Sequence, residues 1–214
     1  MKQITILGAT GFVGKILLQK AIDKNFNIKA LALDAEELHD FKHAIEVIEG
    51  NYFDKDKLQK ALEGSEVILS TIGSPKNRKL SSEDEDNYIN SLAFIIKQMQ
   101  ANKQTRWISI SSAGVKKEHE NLPFARKLLR VKLMTISKSI INIKDRELRL
   151  LEQSNLAWTT IRPPFIKEKV EGEFVADKNK FIGNTVDVNQ LSDFMLAEIT
   201  SNKWIKKAPV VGTK

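Results

Sequence analysis

The sequence contains no cysteine, and this absence removes several kinds of site at once. Without thiols the chain can form no disulfide, no thiolate nucleophile and no cysteine-ligated metal site. Histidine is also scarce: there are three, and the only close pair, His39 and His43, is spaced four residues apart among charged residues. Two histidines at that spacing could share a helix face as metal ligands do, but no third ligand is evident. We therefore predict a pair of surface histidines and no metal site.

Long apolar runs are missing as well. No segment approaches the roughly 18 apolar residues that a membrane-spanning helix needs. The first predicted strand begins within a few residues of Met1, which leaves no space for a signal peptide. We expect a cytoplasmic protein with no membrane partner. At 42% hydrophobic and 29% charged residues, the 214-residue chain can bury a sizeable core as a single domain.

Acidic residues are outnumbered by basic ones, which gives a formal net charge of +7. Most of the excess lies between residues 116 and 149, where ten lysines and arginines face four acidic residues. Nucleic-acid surfaces often interleave aromatic side chains with such charges, but Phe124 is the only aromatic residue in this segment. We interpret the segment as a solvated face near a phosphate-bearing ligand and expect no nucleic-acid partner. Residues 116–137 are predicted to be irregular.

A glycine-rich turn near the start of the chain is the strongest functional signal. Ile4–Leu7 is almost entirely apolar, as in a buried parallel strand, and residues 13–23 show helical periodicity. Gly8 and Gly11 lie between the predicted strand and helix, and Gly14 lies in the first turn of the helix. Their spacing is Gly-x-x-Gly-x-x-Gly rather than the commoner Gly-x-Gly-x-x-Gly. The free N–H groups at the start of such a helix attract a pyrophosphate. We interpret the turn as a dinucleotide phosphate loop, with a purely structural turn as the alternative.

Apolar segments and helical patterns alternate along the rest of the chain. Strands are predicted at 28–33, 44–48, 67–71, 107–110, 158–161 and 209–211, and helices at about 55–62, after Ser81–Asp86, at 139–153 and at 190–199. This alternation predicts an α/β fold, a Rossmann-like, doubly wound parallel sheet with helices on both faces. One domain is expected to span residues 1–214.

Two strand ends are expected to face the cofactor. Asp34 follows the second strand, 20 residues beyond Gly14. A carboxylate there can accept hydrogen bonds from ribose hydroxyls and repel a 2′-phosphate, although an exposed turn aspartate is an equal alternative. After the fourth strand, the small and polar residues of Ser70–Pro75 would form a shelf for the cofactor, unless they make an ordinary turn.

Together these motifs resemble the atypical short-chain dehydrogenase/reductase superfamily, in its NAD(P)-binding, NmrA-like branch. The resemblance spans most of the chain and rests on Gly-Ala-Thr-Gly-Phe-Val-Gly at 8–14, Glu-Gly-Asn-Tyr-Phe-Asp at 49–54, Ser-Thr-Ile-Gly at 70–73, Ile-Ser-Ile-Ser-Ser-Ala-Gly at 108–114 and Leu-Glu-Gln-Ser-Asn-Leu-Ala-Trp-Thr-Thr-Ile-Arg-Pro-Pro at 151–164. The C-terminal half is most similar to the biliverdin-IXβ reductase/flavin reductase group. In that group a glycine-containing hairpin, here residues 171–175, follows Pro-Pro-Phe-Ile.

The resemblance implies NADP or NAD as cofactor and gives most of the site a role. Its implied cofactor-binding residues are Gly8, Thr10, Gly11, Phe12 and Val13 at the phosphates, Asn51 and Tyr52 at the adenine, Thr71, Ile72 and Gly73 under the ribose, and Pro163, Pro164 and Phe165 at the nicotinamide. Ser111 and Ser112 would flank the nicotinamide and the substrate as catalytic residues, together with Lys144. Lys144 would match the lysine of the Tyr-x-x-x-Lys pair. Residues from about 115 to 214 would supply the substrate side of the cleft.

Three positions depart from the pattern of the family. The tyrosine of the Tyr-x-x-x-Lys pair is replaced by Ile140, and a histidine of the flavin reductases falls near Leu148. Leu33 stands where many members have an arginine that favours NADP, so the choice between NAD and NADP stays open. Carbonyl reduction needs a positioned acid, which this chain lacks there. Reduction of a flavin or quinone is less demanding, because the acceptor ring delocalises the charge.

These features predict an NAD(P)H-dependent oxidoreductase that acts on a small planar acceptor, such as a flavin or a quinone. The alternative is a non-catalytic NAD(P)-binding redox sensor or regulator of the NmrA-like kind. A nucleotide-sugar epimerase-like enzyme is a further alternative. The expected assembly is a monomer or a homodimer.

Overall fold

Alternating strands and helices build a parallel sheet in the computed structural model, which describes residues 2–73 and 80–214. Within those ranges the main sheet has six strands, β1 Gln3–Leu7, β2 Asn27–Ala32, β3 Glu46–Glu49, β4 Val67–Ser70, β5 Arg106–Ile110 and β6 Ala157–Ile161. The helices are α1 Phe12–Asp23, α2 Lys55–Leu62, α3 Ser82–Ala101, α4 Phe124–Ile136, α5 Lys138–Gln153 and α6 Val188–Ala197, with a short 3₁₀ helix at Ala35–Phe41. Strands β1, β4, β5 and β6 are almost wholly buried, as expected for strands covered on both faces.

The strand order places a crevice at the centre of the sheet. The order is β3-β2-β1-β4-β5-β6, and every neighbouring pair is parallel. The chain first moves outward from β1 to β3 and then returns to lay β4 on the other side of β1. This reversal separates the loops that follow β1 and β4, and such a switch point is where ligands bind in open α/β sheets. The predicted doubly wound parallel sheet is confirmed.

Two apolar clusters cover the two faces of the sheet. On one face, side chains of the sheet pack with α1 and α6 through Leu17, Leu18, Leu191 and Met195. On the other face they pack with α2, α3 and α5 through Leu58, Leu92, Ile95, Leu148 and Leu151. Within the described ranges, no helix is long and apolar enough to cross a membrane.

The C-terminal part adds two small two-stranded sheets. In one, β7 Phe165–Lys167 pairs in parallel with β9 Thr185–Asp187; in the other, β8 Phe174–Asp177 pairs antiparallel with β10 Val210–Thr213. The hairpin expected at residues 171–175 is therefore wrong, because β8 takes the last strand of the chain as its partner instead of a local one. Gly172 has a φ of 124°, and a Cβ there would overlap the carbonyl of Lys214.

Residues 116–137 are more regular than predicted, because α4 occupies most of them. The helix starts directly after Pro123 and runs to Ile136 without an internal glycine or proline. Its sequence is rich in leucine, lysine and arginine, which favour helix formation. The irregular stretch is limited to residues 116–123. The expectation of a fully solvated basic face is also wrong in part, since Arg126 and Lys144 are buried.

Candidate functional site

The turn after β1 depends on two of its glycines. Gly8 adopts a φ of 85°, a left-handed conformation that L side chains rarely take. A Cβ on Gly14 would overlap the carbonyl oxygen of Gly8, so only glycine lets α1 start so close to the strand. The N–H of Gly11 donates to the Gly8 carbonyl at 3.1 Å and closes the turn. The strand, turn and helix predicted from the sequence are all present.

The start of α1 is open for an anion. Gly11 is the N-cap residue, and among the described residues no side chain caps this helix end. The first turn also contains no acidic residue. The first N–H groups of a helix have no partner within the helix, so here they can bind a phosphate. Thr10, Phe12 and Val13 border this end, with Thr10 and Val13 partly buried and Phe12 exposed.

The end of β4 is clamped onto the glycine turn. The Thr71 hydroxyl lies 3.0 Å from the carbonyl oxygen of Gly8 and 3.2 Å from that of Leu7, and it donates to them. Thr71 thus fixes the relative position of the two loops that flank the switch point. Ile72 and Gly73 continue along the same edge. Ser74 and Pro75, which were predicted to extend this shelf, lie outside the described residues.

Lys144 reaches the same edge from α5. Its ammonium donates to the carbonyl of Ile72 at 2.8 Å and to the Glu147 carboxylate at 2.7 Å. The Lys144 side chain is buried, and the Glu147 carboxylate one helical turn away compensates its charge. Sequence reasoning missed Glu147, although its spacing of three residues from Lys144 on a predicted helix was the available signal. The pair holds the backbone at Ile72 in place.

The two serines after β5 differ in their surroundings. The Ser111 N–H donates to the carbonyl of Ile161 at 2.7 Å, but its hydroxyl is buried and has no hydrogen-bond partner among the described residues. The Ser112 hydroxyl accepts from the N–H of Gly114 at 3.2 Å. A buried hydroxyl without a partner is uncommon in folded proteins, so at this strand end it can form a hydrogen bond with a ligand or a water molecule. Of the two, Ser111 is the one available to a ligand.

The segment after β6 contains Pro163 and Phe165 and contacts the loop of Ser111 and Ser112. Pro163 is buried, and its carbonyl accepts from the N–H of Ala113 at 2.7 Å. Phe165 begins β7 with 40% of its surface exposed. The Lys132 ammonium lies 5.7 Å from the centroid of the Phe165 ring. The sequence-predicted nicotinamide side therefore offers apolar surface at Phe165, while Pro163 supports the serine loop.

At the predicted adenine side, the accessible ring belongs to a residue that the sequence did not single out. The Asn51 side chain accepts from the N–H of Phe53 at 3.0 Å and forms a local turn. The Tyr52 ring packs 6.0 Å from that of Tyr88, and burial, followed by the charge of Glu147, raises the pKa of Tyr52 well above its usual value. Phe53 is 37% exposed. A purine could stack on Phe53, whereas Tyr52 belongs to the packing beneath it.

Asp34 lies at the end of β2 as predicted, and it has a structural task there. Its carboxylate accepts from the N–H of Glu36 at 2.9 Å and caps the 3₁₀ helix. The side chain remains exposed, so its charge still faces the edge of the sheet. Both readings of the sequence, a turn aspartate and a ribose-binding carboxylate, are compatible with this geometry.

We expect Asp34→Asn to shift the ratio of NADPH to NADH affinity toward NADPH by about threefold to tenfold, because it removes an exposed charge near the 2′-phosphate. The asparagine keeps the oxygen that caps the 3₁₀ helix. Calorimetric titration with both dinucleotides measures the ratio. Asp40→Asn, at an exposed position of the same 3₁₀ helix, is the matched control. An unchanged ratio would mean that Asp34 does not face the ribose.

A buried ion cluster supports the serine loop from behind. Glu120 accepts from Arg162 at 2.6 Å and from Arg126 at 3.0 Å. Arg126 also donates to the carbonyls of Ala113 at 2.9 Å and Val115 at 2.6 Å. Both guanidinium groups are buried, so this cluster fixes the backbone that follows Ser111 and Ser112. Sequence reasoning missed it, because Arg162 lies 42 residues from Glu120 in the chain.

The pKa values of Arg126 and Glu120 are both lowered in this cluster, for different reasons. Burial, and then the charge of Arg162, lower the pKa of Arg126 to about 10. For Glu120, burial alone raises the pKa, but the hydrogen bond and charge of Arg162 and the N–H of Lys117 outweigh it. The Glu120 pKa therefore lies below its usual value. Both groups are ionised at neutral pH.

A separate cavity of about 550 Å³ lies at the opposite edge of the sheet. It is lined by residues at the amino ends of the strands, including Lys2, Glu66, Arg106 and Ala157. Ligands of open α/β sheets bind at the carboxyl ends of the strands. We therefore place the candidate site at the glycine turn and the serine loop, and not at the cavity beside the amino ends of the strands.

The chain matches the model of the NAD(P)H-binding family over residues 8–202. The protein belongs to the NAD(P)H-binding family. The match includes the glycine turn, the Thr71–Gly73 edge and the serine loop. It confirms the predicted cofactor, NAD or NADP, and it leaves the choice between the two, and the role of each residue, as predictions.

Several solved structures share the fold of this chain. A short-chain dehydrogenase/reductase from Veillonella parvula, in complex with NADP, aligns with a TM-score of 0.75 at 21% identity, covering 99% of this chain and 94% of that one. ChuY, an anaerobillin reductase from Escherichia coli O157:H7, aligns with a TM-score of 0.81 at 15% identity, covering 99% and 97%. The oxidoreductase ylbE from Lactococcus lactis aligns with a TM-score of 0.78 at 18% identity, covering 99% and 91%. These likenesses confirm the predicted fold.

The residues at the carboxyl edge of the sheet fit a dinucleotide. In the glycine turn the backbone at Gly14 lies so close to the Gly8 carbonyl that a Cβ on Gly14 would overlap it. The start of α1 offers N–H groups without a side-chain cap among the described residues. The Ser111 hydroxyl is buried and lacks a partner within the same described ranges. Phosphate donors at one end and an unused hydroxyl at the other match what a bound NAD(P)H requires.

Proposed function

We propose that this protein is an NAD(P)H-dependent reductase that passes a hydride to a flavin, a quinone or a similar planar acceptor. The observation that carries the proposal is the Ser111 hydroxyl, which is buried and unpartnered among the described residues at the end of β5. In the sheet order, β5 is separated from the glycine turn of β1 only by β4. A dinucleotide with its phosphates at Gly11 would extend along this edge toward Ser111.

Each part of the edge has a task in this proposal. Bound NAD(P)H supplies the hydride. The N–H groups at Phe12 and Val13 bind the phosphates, while Lys144 and Glu147 keep the backbone at Ile72 in position under the ribose. The Ser111 hydroxyl orients the nicotinamide or the acceptor through a hydrogen bond. The C-terminal part, from about residue 115 onward, supplies the substrate side, with the ring of Phe165 as apolar surface against a planar acceptor.

The lack of a positioned acid supports a planar acceptor. Ile140 occupies the position of the family's tyrosine and lines a very small cavity together with Lys144, Glu147 and Tyr88. Ile140 has no proton to donate, and the Lys144 ammonium is engaged by Glu147 and by the carbonyl of Ile72, so neither position of the family's pair presents a free acid to an alkoxide. A flavin or quinone ring spreads the added charge and can take its proton from water afterwards. Alignment of two rings is then the main requirement for catalysis.

Turnover tests the proposal directly. Wild-type protein is mixed with NADPH or NADH and then with FMN or a water-soluble quinone, while the near-ultraviolet absorbance of the reduced nicotinamide is followed. We expect the acceptor to consume the dinucleotide. Ser111→Ala should lower kcat about tenfold or more and leave the Kd for the dinucleotide within about twofold. Ser112→Ala is the matched control, because the Ser112 hydroxyl already accepts a backbone hydrogen bond.

A non-catalytic redox sensor is the second candidate. It is favoured by Ile140, which replaces the catalytic tyrosine of the family, and by the ion pair that neutralises Lys144. The same experiment distinguishes the two functions. Dinucleotide binding without consumption in the presence of flavins and quinones would contradict the reductase and favour the sensor.

A further inference from the structure

The outward face of α4 carries apolar side chains that the core does not use. Phe124, Leu128 and Val131 are 81%, 63% and 63% exposed. Their spacing of four and three residues places them in a single stripe along the helix. The opposite side of the helix is the one that packs inward, through Leu129 and the buried Arg126. This stripe, hereafter the α4 stripe, therefore lies outside the apolar clusters of the domain.

Positive charge borders the α4 stripe on both sides. Lys127 and Lys132 are exposed, and helical geometry places one on each side of the stripe. The other two cations of the helix are engaged, Arg126 by Glu120 and Arg130 by Asp145 at 2.6 Å. The sequence contains no acidic residue between Glu120 and Asp145. The exposed face of α4 is thus apolar at its centre and cationic at its margins.

We propose that α4 docks this protein on the surface of an anionic phospholipid bilayer. An exposed apolar stripe bordered by lysines is the arrangement of helices that lie in the plane of a membrane interface. The apolar side chains would enter the boundary between headgroups and acyl chains. The lysine stems would extend along it, with their ammonium groups at the lipid phosphates.

Charge also argues against a second copy of the chain as the occupant of this face. A symmetric dimer through α4 would place Lys127 and Lys132 of each copy near those of the other, with no acidic residue of the helix to compensate. An anionic surface removes that repulsion. The prediction of no membrane partner rested on the absence of a spanning segment, which does not bear on a helix that lies on the surface.

The inference depends on α4 alone and does not require the reductase activity. For the proposed reductase it has one consequence. The Lys132 ammonium lies 5.7 Å from the Phe165 ring, so the bilayer would approach the side of the site where the acceptor is expected. Lipophilic quinones reside in that bilayer.

Vesicle sedimentation of the full chain tests the inference. We expect the wild type to sediment with vesicles that contain phosphatidylserine and not with vesicles of phosphatidylcholine alone, and to dissociate as salt is raised. Leu128→Ser combined with Val131→Ser should weaken binding at least about tenfold, as should Lys127→Gln combined with Lys132→Gln. Lys97→Gln combined with Lys103→Gln, at positions away from α4, is the charge-matched control and should bind like the wild type.

All these substitutions are at exposed positions, so thermal unfolding should show wild-type stability and separate a loss of docking from a loss of fold. Failure of the wild-type protein to sediment with phosphatidylserine vesicles would overturn the inference. Sedimentation equilibrium gives a second decisive result. A dimer that the Leu128→Ser, Val131→Ser protein no longer forms would assign the α4 stripe to an interface between copies and would also overturn it.

Discussion

Gly11→Val will fold like the wild type and bind NADPH and NADH at least about a hundredfold more weakly. Gly11 caps α1 with a φ of −71° and a ψ of 167°, which valine adopts easily. An added Cβ would lie 3.3 Å from the carbonyl oxygen of Gly8, with no other described atom beyond its chain neighbours within 4 Å, so the turn has to shift by only a few tenths of an ångström. The valine methyl groups would then occupy the space in front of the helix, where the phosphates are expected. Calorimetric titration measures the affinity, and circular dichroism checks the fold.

Gly14→Ala is the informative comparison for this variant. Its Cβ would overlap the Gly8 carbonyl, which is backbone and cannot move aside cheaply. We therefore expect a loss of stability of about 1–3 kcal/mol or more together with weaker binding. Only Gly11→Val should lose affinity while keeping its stability. If Gly11→Val binds the dinucleotide as tightly as the wild type, the glycine turn is a structural feature and the phosphates lie elsewhere.

Glu120→Gln should lower the free energy of unfolding by about 3–5 kcal/mol at neutral pH, because it leaves two buried guanidinium groups without their carboxylate. The wild-type carboxylate accepts from Arg162 at 2.6 Å and from Arg126 at 3.0 Å. An amide can accept only at its oxygen and carries no compensating charge. Urea denaturation measures the difference. Glu118→Gln is the control, since Glu118 is exposed and two residues away.

The difference between wild type and Glu120→Gln should depend on pH. The folded-state pKa of Glu120 is lower than its unfolded value, so its carboxylate stabilises the fold above the unfolded pKa. That contribution is lost as the pH falls through the folded pKa. The two proteins should therefore converge in stability as the pH falls below the ordinary range of a glutamate and through the lowered pKa of Glu120. A stability difference that stays constant with pH, or that is absent at neutral pH, would contradict a stabilising role for the charge of Glu120.

The parts of the fold that could be predicted are those encoded over short distances. The strand before Gly8 and the helix after Gly11 follow from apolar spacing and from glycine, all within one short segment. Strand and helix alternation then limits the topology to a parallel sheet with helices on both faces. The end of β4 and Lys144 on α5 were placed at the site through the resemblance to a family, and the structure brings them together through the carbonyl of Ile72.

The parts that could not be predicted depend on partners that are distant in sequence. Phe174 pairs with Thr213, which is distant in the sequence, and no local sequence pattern predicts that pairing. Glu120 meets Arg162 only because the loop after β5 and the end of β6 are neighbours in the fold. The error over α4 has a different cause. Helix-favouring residues were visible in the sequence, but their high positive charge suggested an irregular surface segment.

A crystal structure of the protein with NADP bound would test the central claim most directly. The account predicts the pyrophosphate at the N–H groups of Phe12 and Val13, the ribose over the backbone at Ile72, and the nicotinamide within hydrogen-bond distance of the Ser111 hydroxyl. A dinucleotide bound away from the glycine turn would contradict the assignment of the site. A dinucleotide on the turn whose nicotinamide points away from Ser111 would contradict the proposed catalytic role of that serine.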